Sequence, residues 1–152
     1  MHKEIDVYMQ NLEVYFSNLT LESLDKLDYF YASDARFKDP FNEVQGCLKI
    51  KAIFEHMFKT LNAPRFVVTQ KLFDNDQAFM CWDFIFSTQA APNNLFLVKG
   101  STHLLFCKDE RGQIKINNHR DYWDPAQEIY EKIPILGVFF KWLRVKSSTP
   151  IK

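Results

Sequence analysis

Ala35-Arg36-Phe37-Lys38-Asp39-Pro40-Phe41 is the stretch on which the fold turns. A short run ends at a proline, which has no amide hydrogen for a ladder and so sits at strand ends or edges. A strand is therefore predicted over Ala35–Asp39. Ser33-Asp34 ahead of it reads as a turn, and Asn42 to Gly46 behind it as a connector. Upstream, residues 3–19 place Ile5, Tyr8, Met9, Leu12, Tyr15, Phe16 and Leu19 at helical steps, giving one apolar face. Thr20 can cap a second helix carrying Leu21, Leu24, Leu27 and Phe30.

Downstream, residues 47–61 give the clearest helix: Ile50, Ile53, Phe54, Met57, Phe58 and Leu61 share one face, with Lys51, Glu55 and Lys59 on the other. Asn62-Ala63-Pro64 ends it. The period then changes to that of strands. Arg65–Phe73, Ala78–Thr88, Leu95–Cys107 and Gln113–Trp123 are rich in Val, Ile, Phe and Thr. Asp74-Asn75-Asp76, Ala91 to Asn94 and Asp109 to Gly112 separate them with turn chemistry. Links this short require antiparallel neighbours. Helices, one short strand, a helix and a four-strand meander make an α+β domain, with helices packed on one face of a bent antiparallel sheet.

After the sheet, Asp124-Pro125 reads as helix cap and first turn, with Gln127 completing a capping box. Residues 129–133 are a short predicted helix and 136–145 an apolar, aromatic and basic segment; the tail over 147–152 reads as loose. One domain is thus predicted over residues 1–146, with a core at 3–124 and an extension at 125–146. The segment 136–146 suits packing within the chain, packing across a dimer, or weak contact with a membrane surface.

Formal net charge is zero, so no global field draws the chain to nucleic acid, and basic residues do not cluster with aromatics on one strand face. Aromatic content is 16%, with 15 Phe, enough for a large core and a greasy cavity. Cys47, Cys81 and Cys107 form no C-x-x-C pair and read as buried free thiols, which suits a reducing cytoplasm. No signal peptide is expected. No two His sit at i, i+4 on a helix and no Gly-rich phosphate loop occurs, so neither a metal nor a cofactor is expected.

Strand alternation selects the candidate chemistry. If Trp123 points inward, His119 and Asp121 share its face while Arg120 and Tyr122 point away. Asp39, His119 and Asp121 then meet in an apolar cavity, with Tyr15 reaching in from the first helix. Trp123, Phe41, Trp82, Phe58 and His103 are expected to line it for a ligand; a one-residue bulge would flip His103 outward. A carboxyl in an apolar pocket serves as a base near neutral pH, and two neighbouring carboxyls divide into acid and base. Tyr or neutral His can donate to a developing enolate. That chemistry covers double-bond isomerisation, cyclisation and dehydration. The same residues admit other readings: Asp39 as a turn cap, Tyr15 as core, Asp121 as one half of an ion pair.

Asp39-Pro40-Phe41 with Gly46, Asp109-Glu110-Arg111-Gly112-Gln113-Ile114 and Tyr122-Trp123 resemble the nuclear-transport-factor-2-like superfamily over residues 3–124. This superfamily includes ketosteroid isomerases, scytalone dehydratases, limonene epoxide hydrolases and SnoaL-like polyketide cyclases. The resemblance implies a cone-shaped bent sheet wrapped by N-terminal helices, a cystatin-like α+β barrel. Compared with ketosteroid isomerase, it implies Asp39 as general base, Tyr15 as oxyanion donor and Trp123 as pocket wall. The second acid of that family has no match among Ser101, Thr102 and His103. Over its full length the chain is similar to an uncharacterised bacterial subgroup sharing the His119-Arg120-Asp121-Tyr122-Trp123-Asp124 strand. Two further readings stand beside catalysis: a noncatalytic binder of a lipid-like or polyketide-like molecule, and a module that dimerises through the sheet. Both faces of Ala78–Phe86 are apolar, which predicts a covered sheet and a homodimer.

Overall fold

A computed structural model describes residues 2–128. The first helix, α1 (His2–Ser17), buries Ile5, Tyr8, Met9, Leu12 and Phe16 along the predicted face. Asn18 stops it by turning its side-chain amide back onto the Val14 carbonyl at 2.8 Å. Thr20 Oγ1 accepts the Ser23 amide at 3.2 Å and Ser23 Oγ accepts the Thr20 amide at 2.9 Å, a reciprocal cap. The expected second helix is a 3₁₀ turn over Glu22–Lys26 followed by one α turn, α2 (Leu27–Phe30).

From Phe30 the chain passes directly into strand β1 (Tyr31–Lys38). The strand is longer than predicted, because Ser33-Asp34 is not a turn. The pairing register shifts between Tyr31 and Arg36, so the two polar residues lie exposed in an irregularity within the strand. The expected connector after Pro40 contains a short strand, β2 (Glu43–Gln45), which returns antiparallel to β1 and places Glu43 opposite Lys38, with an ion pair at 3.0 Å.

Gly46, at φ 112°, turns the chain into α3 (Cys47–Thr60), whose Ile50 and Phe54 are buried. The meander follows as β3 (Leu61–Phe73), β4 (Gln77–Thr88), β5 (Ala91–Lys108) and β6 (Ile114–Tyr122). The predicted stop at Asn62-Ala63-Pro64 is absorbed into β3 as a register shift, with Ala63 at positive φ. Proline is tolerated there because β3 is an edge strand. Asp124 caps α4 (Pro125–Glu128) as expected, accepting the amides of Ala126 and Gln127. The predicted helices beyond it lie outside the described residues.

The six strands form one curved, open sheet in the order β2-β1-β6-β5-β4-β3. Four of its pairings are antiparallel: the three of the meander, as predicted, and that of β1 with the unpredicted β2. The β1–β6 pairing is parallel, since the helical connection and meander between them return the chain in the same direction. The main core lies between the helices and the concave face, and a smaller cluster of Trp82, Phe86 and Val98 fills the far end. The three cysteines are free and partly buried. Burial raises the thiol pKa of Cys47 and Cys107. No helix among the described residues is long and apolar enough to cross a membrane.

Candidate active site

A cavity of about 30 Å³ opens between the helices and the concave face of the sheet. Phe16 of α1 and Phe54 of α3 form its roof. Phe66, Val68, Met80 and Trp82 form its wall on β3 and β4; Thr102, Leu104, His119 and Asp121 come from β5 and β6. Alternation puts His119 and Asp121 on one face of β6, as the sequence predicts, while Arg120 turns outward and lies over the Tyr122 ring at 4.9 Å. Register supplies the rest: Met80 faces Thr102 on β5, and Thr102 faces Asp121 on β6.

These side chains form one buried line of hydrogen bonds. Trp82 Nε1 donates to Thr102 Oγ1 at 2.8 Å, and Thr102 Oγ1 donates to Asp121 Oδ1 at 2.5 Å. His119 Nε2 meets the same Oδ1 at 2.8 Å, and Tyr31 Oη meets His119 Nδ1 at 2.7 Å. The directions follow from which groups own protons. An indole only donates, so Thr102 spends its single proton on Asp121. An ionised carboxylate only accepts, so neutral His119 carries its proton on Nε2 and receives the Tyr31 hydroxyl at Nδ1. Burial, and next the charge of Asp121, push Tyr31 well above its ordinary pKa and keep it a donor. Both hydrogen bonds to Asp121 fall on Oδ1; among the described residues none reaches Oδ2. The His119 ring is wrapped by aromatics, with Phe37 at 4.6 Å, Tyr31 at 6.0 Å and Phe16 at 6.3 Å between centroids.

Of the other predicted residues, all but Trp82 are placed elsewhere. Asp39 does not line the cavity. Its Oδ1 accepts the backbone amides of Phe41 and Asn42 at 2.7 and 2.6 Å, and the Asn42 side-chain amide bridges both carboxylate oxygens. It thereby shapes the β1–β2 turn, the turn-cap reading. Tyr15 donates to the Ser23 carbonyl at 2.9 Å and packs on Phe30, holding α1 against the 3₁₀ turn; burial pushes it up to about 12. Phe41 is exposed and meets Trp123 edge-on at 5.4 Å, beside the smaller cluster. Phe58 packs on the main core beside the lining Phe54. His103 faces the outer side, stacked on Phe79 at 4.2 Å and bonded to Gln77. Trp82 lines the cavity as expected.

Tyr31 and Thr102 are the members the sequence did not single out. Thr102 is brought in by the β5–β6 register, which sets it opposite Asp121. Tyr31 was hidden by the assumed turn at Ser33-Asp34. Among the described residues, no cluster of three or more His, Cys, Asp or Glu side chains forms a metal-binding group. The donors present fit proton transfer.

A model of the SnoaL-like domain family matches residues 12–114. No curated protein is a significant sequence match. Several solved structures share the fold. A hypothetical protein with a ketosteroid isomerase-like fold from Catenulispora acidiphila, in complex with trimethylamine, is 16% identical; the match has a TM-score of 0.62 and covers 77% of this chain and 85% of that one. A nuclear-transport-factor-2-like protein of unknown function from Burkholderia pseudomallei is 14% identical, with a TM-score of 0.65 over 80% and 93% of the two chains. A candidate SnoaL-like polyketide cyclase from Jannaschia is 14% identical, with a TM-score of 0.65 over 82% and 89%. At these identities the likeness is one of fold.

Proposed function

The chain belongs to the SnoaL-like domain family, and we propose that its cavity moves a proton within a small hydrophobic carbonyl compound, as an isomerase or cyclase working through side chains alone. The observation that carries this reading is the convergence of Asp121 and His119, five members deep in a directed hydrogen-bond line, on an otherwise apolar cavity. Asp121 Oδ2 takes the proton next to the carbonyl. Its own charge is then gone, and the hold of Oδ1 on its two donors slackens. The Nε2–H of His119 is then free to favour the enolate oxygen, a donor aimed at charge that develops during the reaction. Asp121 returns the proton to another carbon, which completes an isomerisation, or the enolate carbon attacks a second carbonyl, which closes a ring, and the alkoxide so formed takes the proton back from Asp121.

The test uses exchange of α-hydrogens of cyclohexenone in deuterated water, followed by NMR. The wild-type chain should accelerate exchange over buffer, Asp121→Asn should abolish the acceleration while folding normally, and Asp39→Asn should keep it. Acceleration undiminished in Asp121→Asn would remove Asp121 from the chemistry.

A second reading concerns the outer sheet face. Val67, Leu72, Phe79, Leu97 and Tyr122 are exposed there across four strands, with the Asp83–Lys99 pair at 3.2 Å among them. A second copy related by a two-fold axis fits this face, because each Lys99 can then meet the partner's Asp83 while the apolar residues cover one another.

A further inference from the structure

We propose that Trp82, seated on Gly100, is the residue that sets the size of the molecule the cavity admits. The inference rests on the cavity's being the ligand site, as argued above.

Trp82 and Gly100 face each other across β4 and β5. A Cβ built on Gly100 would stand 2.3 Å from Cη2 of the indole, 2.6 Å from Cζ2 and 2.8 Å from Cζ3. No side chain fits in that gap, so glycine is what lets the ring lie down on the β5 backbone. Gly100 has no positive φ, so backbone conformation does not call for the glycine; the ring does. The indole is pinned at its other edge by the 2.8 Å bond to Thr102 and held edge-on by Phe66 at 5.6 Å.

In that seat it is a wall of the cavity, and the cavity is about 30 Å³. That is about the share of one water molecule, whereas a cavity of about 150 Å³ takes benzene. A carbonyl compound of one ring therefore reaches Asp121 only by displacing part of this wall. Met80 and Val68 beside it are the flexible and the small elements. Among lining residues that also include Phe16, Phe54 and Phe66, the indole is the largest side chain, and it is the one held at a defined place by a glycine and a hydrogen bond. The ligand class that follows is a single flat ring or smaller, carrying an oxygen that reaches Asp121; two fused rings meet the indole.

The test is binding of phenol and of naphthol, one ring against two, to the full chain by calorimetry. Trp82→Ala vacates the indole and should raise naphthol affinity relative to phenol roughly tenfold or more, the range that pocket shape alone discriminates. Trp82→Leu keeps an apolar side chain and should shift the ratio in the same direction by less, which keeps the test alive if the alanine variant does not fold. Met80→Ala widens the same cavity from another side and should leave the ratio within about twofold of wild type, as a wall that is not pinned. Equal ratios in wild type and both Trp82 variants, or a Met80→Ala shift as large as theirs, would overturn the role of Trp82. Failure of the underlying reading looks different: phenol affinity would be the same in wild type and Asp121→Asn.

Discussion

Taking one oxygen atom from Tyr31 isolates what the buried hydrogen-bond line contributes. Tyr31 is 2% exposed and His119 4% exposed, and their bond is 2.7 Å long. Tyr31→Phe keeps the ring, its packing and its stacking on the imidazole, and removes only the donor to Nδ1. The imidazole nitrogen is then buried without a partner, at a cost of about 1–3 kcal/mol. The space left by one hydroxyl is at the lower limit for a water molecule, so solvent does not restore the bond. In a chain of this size each kcal/mol moves the midpoint by about 2–4 °C, so melting should fall by about 2–12 °C. Urea unfolding followed by circular dichroism gives the free energy. A cycle with His119→Phe and the double variant separates the pair from its surroundings; residues in direct contact couple by about 0.5–3 kcal/mol. Loss below about 0.3 kcal/mol for Tyr31→Phe, or additivity within that margin, would refute the argument that the hydroxyl and imidazole support each other.

Two further outcomes are expected. Tyr8 and Tyr31 are held by burial above the ordinary tyrosine value of 10.0, and Tyr15 is pushed up to about 12. The unfolded chain ionises these phenols first, so their contribution is complete below pH 10 and is lost as pH rises above it. Stability should fall by about 1.4 kcal/mol per pH unit for each buried phenol in that range, and Tyr8→Phe should make the fall shallower by that amount; an unchanged slope would count against it. On the outer face, sedimentation of the wild-type chain at micromolar concentration should show a dimer, and Phe79→Glu, which puts a charge amid the exposed apolar residues, should give a monomer; a monomeric wild type would dispose of the two-fold pairing.

The meander was legible because alternation and turn chemistry are local, and the two long helices because their apolar stripes are complete. The errors lie where tertiary pairing overrides local chemistry. Ser33-Asp34 has turn composition but sits in an irregular stretch of β1, because Tyr31 and Arg36–Lys38 on either side are both tied to β6. The strand Glu43–Gln45 is three residues long and carries no periodic signal; its partner strand defines it. Of the site, His119 and Asp121 were readable from the period of β6. Asp39 has the residue type of a base, but its neighbours' amides claim its carboxylate, and only coordinates show that. Tyr31, Thr102 and the Trp82–Gly100 contact depend on cross-strand register, which a single sequence does not print.

Tyr31 and His119 are 88 residues apart in the chain, and the β1–β6 ladder is what joins them. The meander can assemble from neighbouring hairpins, each closing a short loop; the parallel ladder joins two distant parts of the chain, against the largest loop closure of any strand pairing in the sheet. The buried hydrogen-bond line is thus completed only by the topologically most costly pairing of the sheet. A chain whose sheet has formed but whose first strand is still undocked would present Asp121 and His119 without Tyr31. An intact line from Tyr31 to Asp121 is therefore a report on the whole domain having closed.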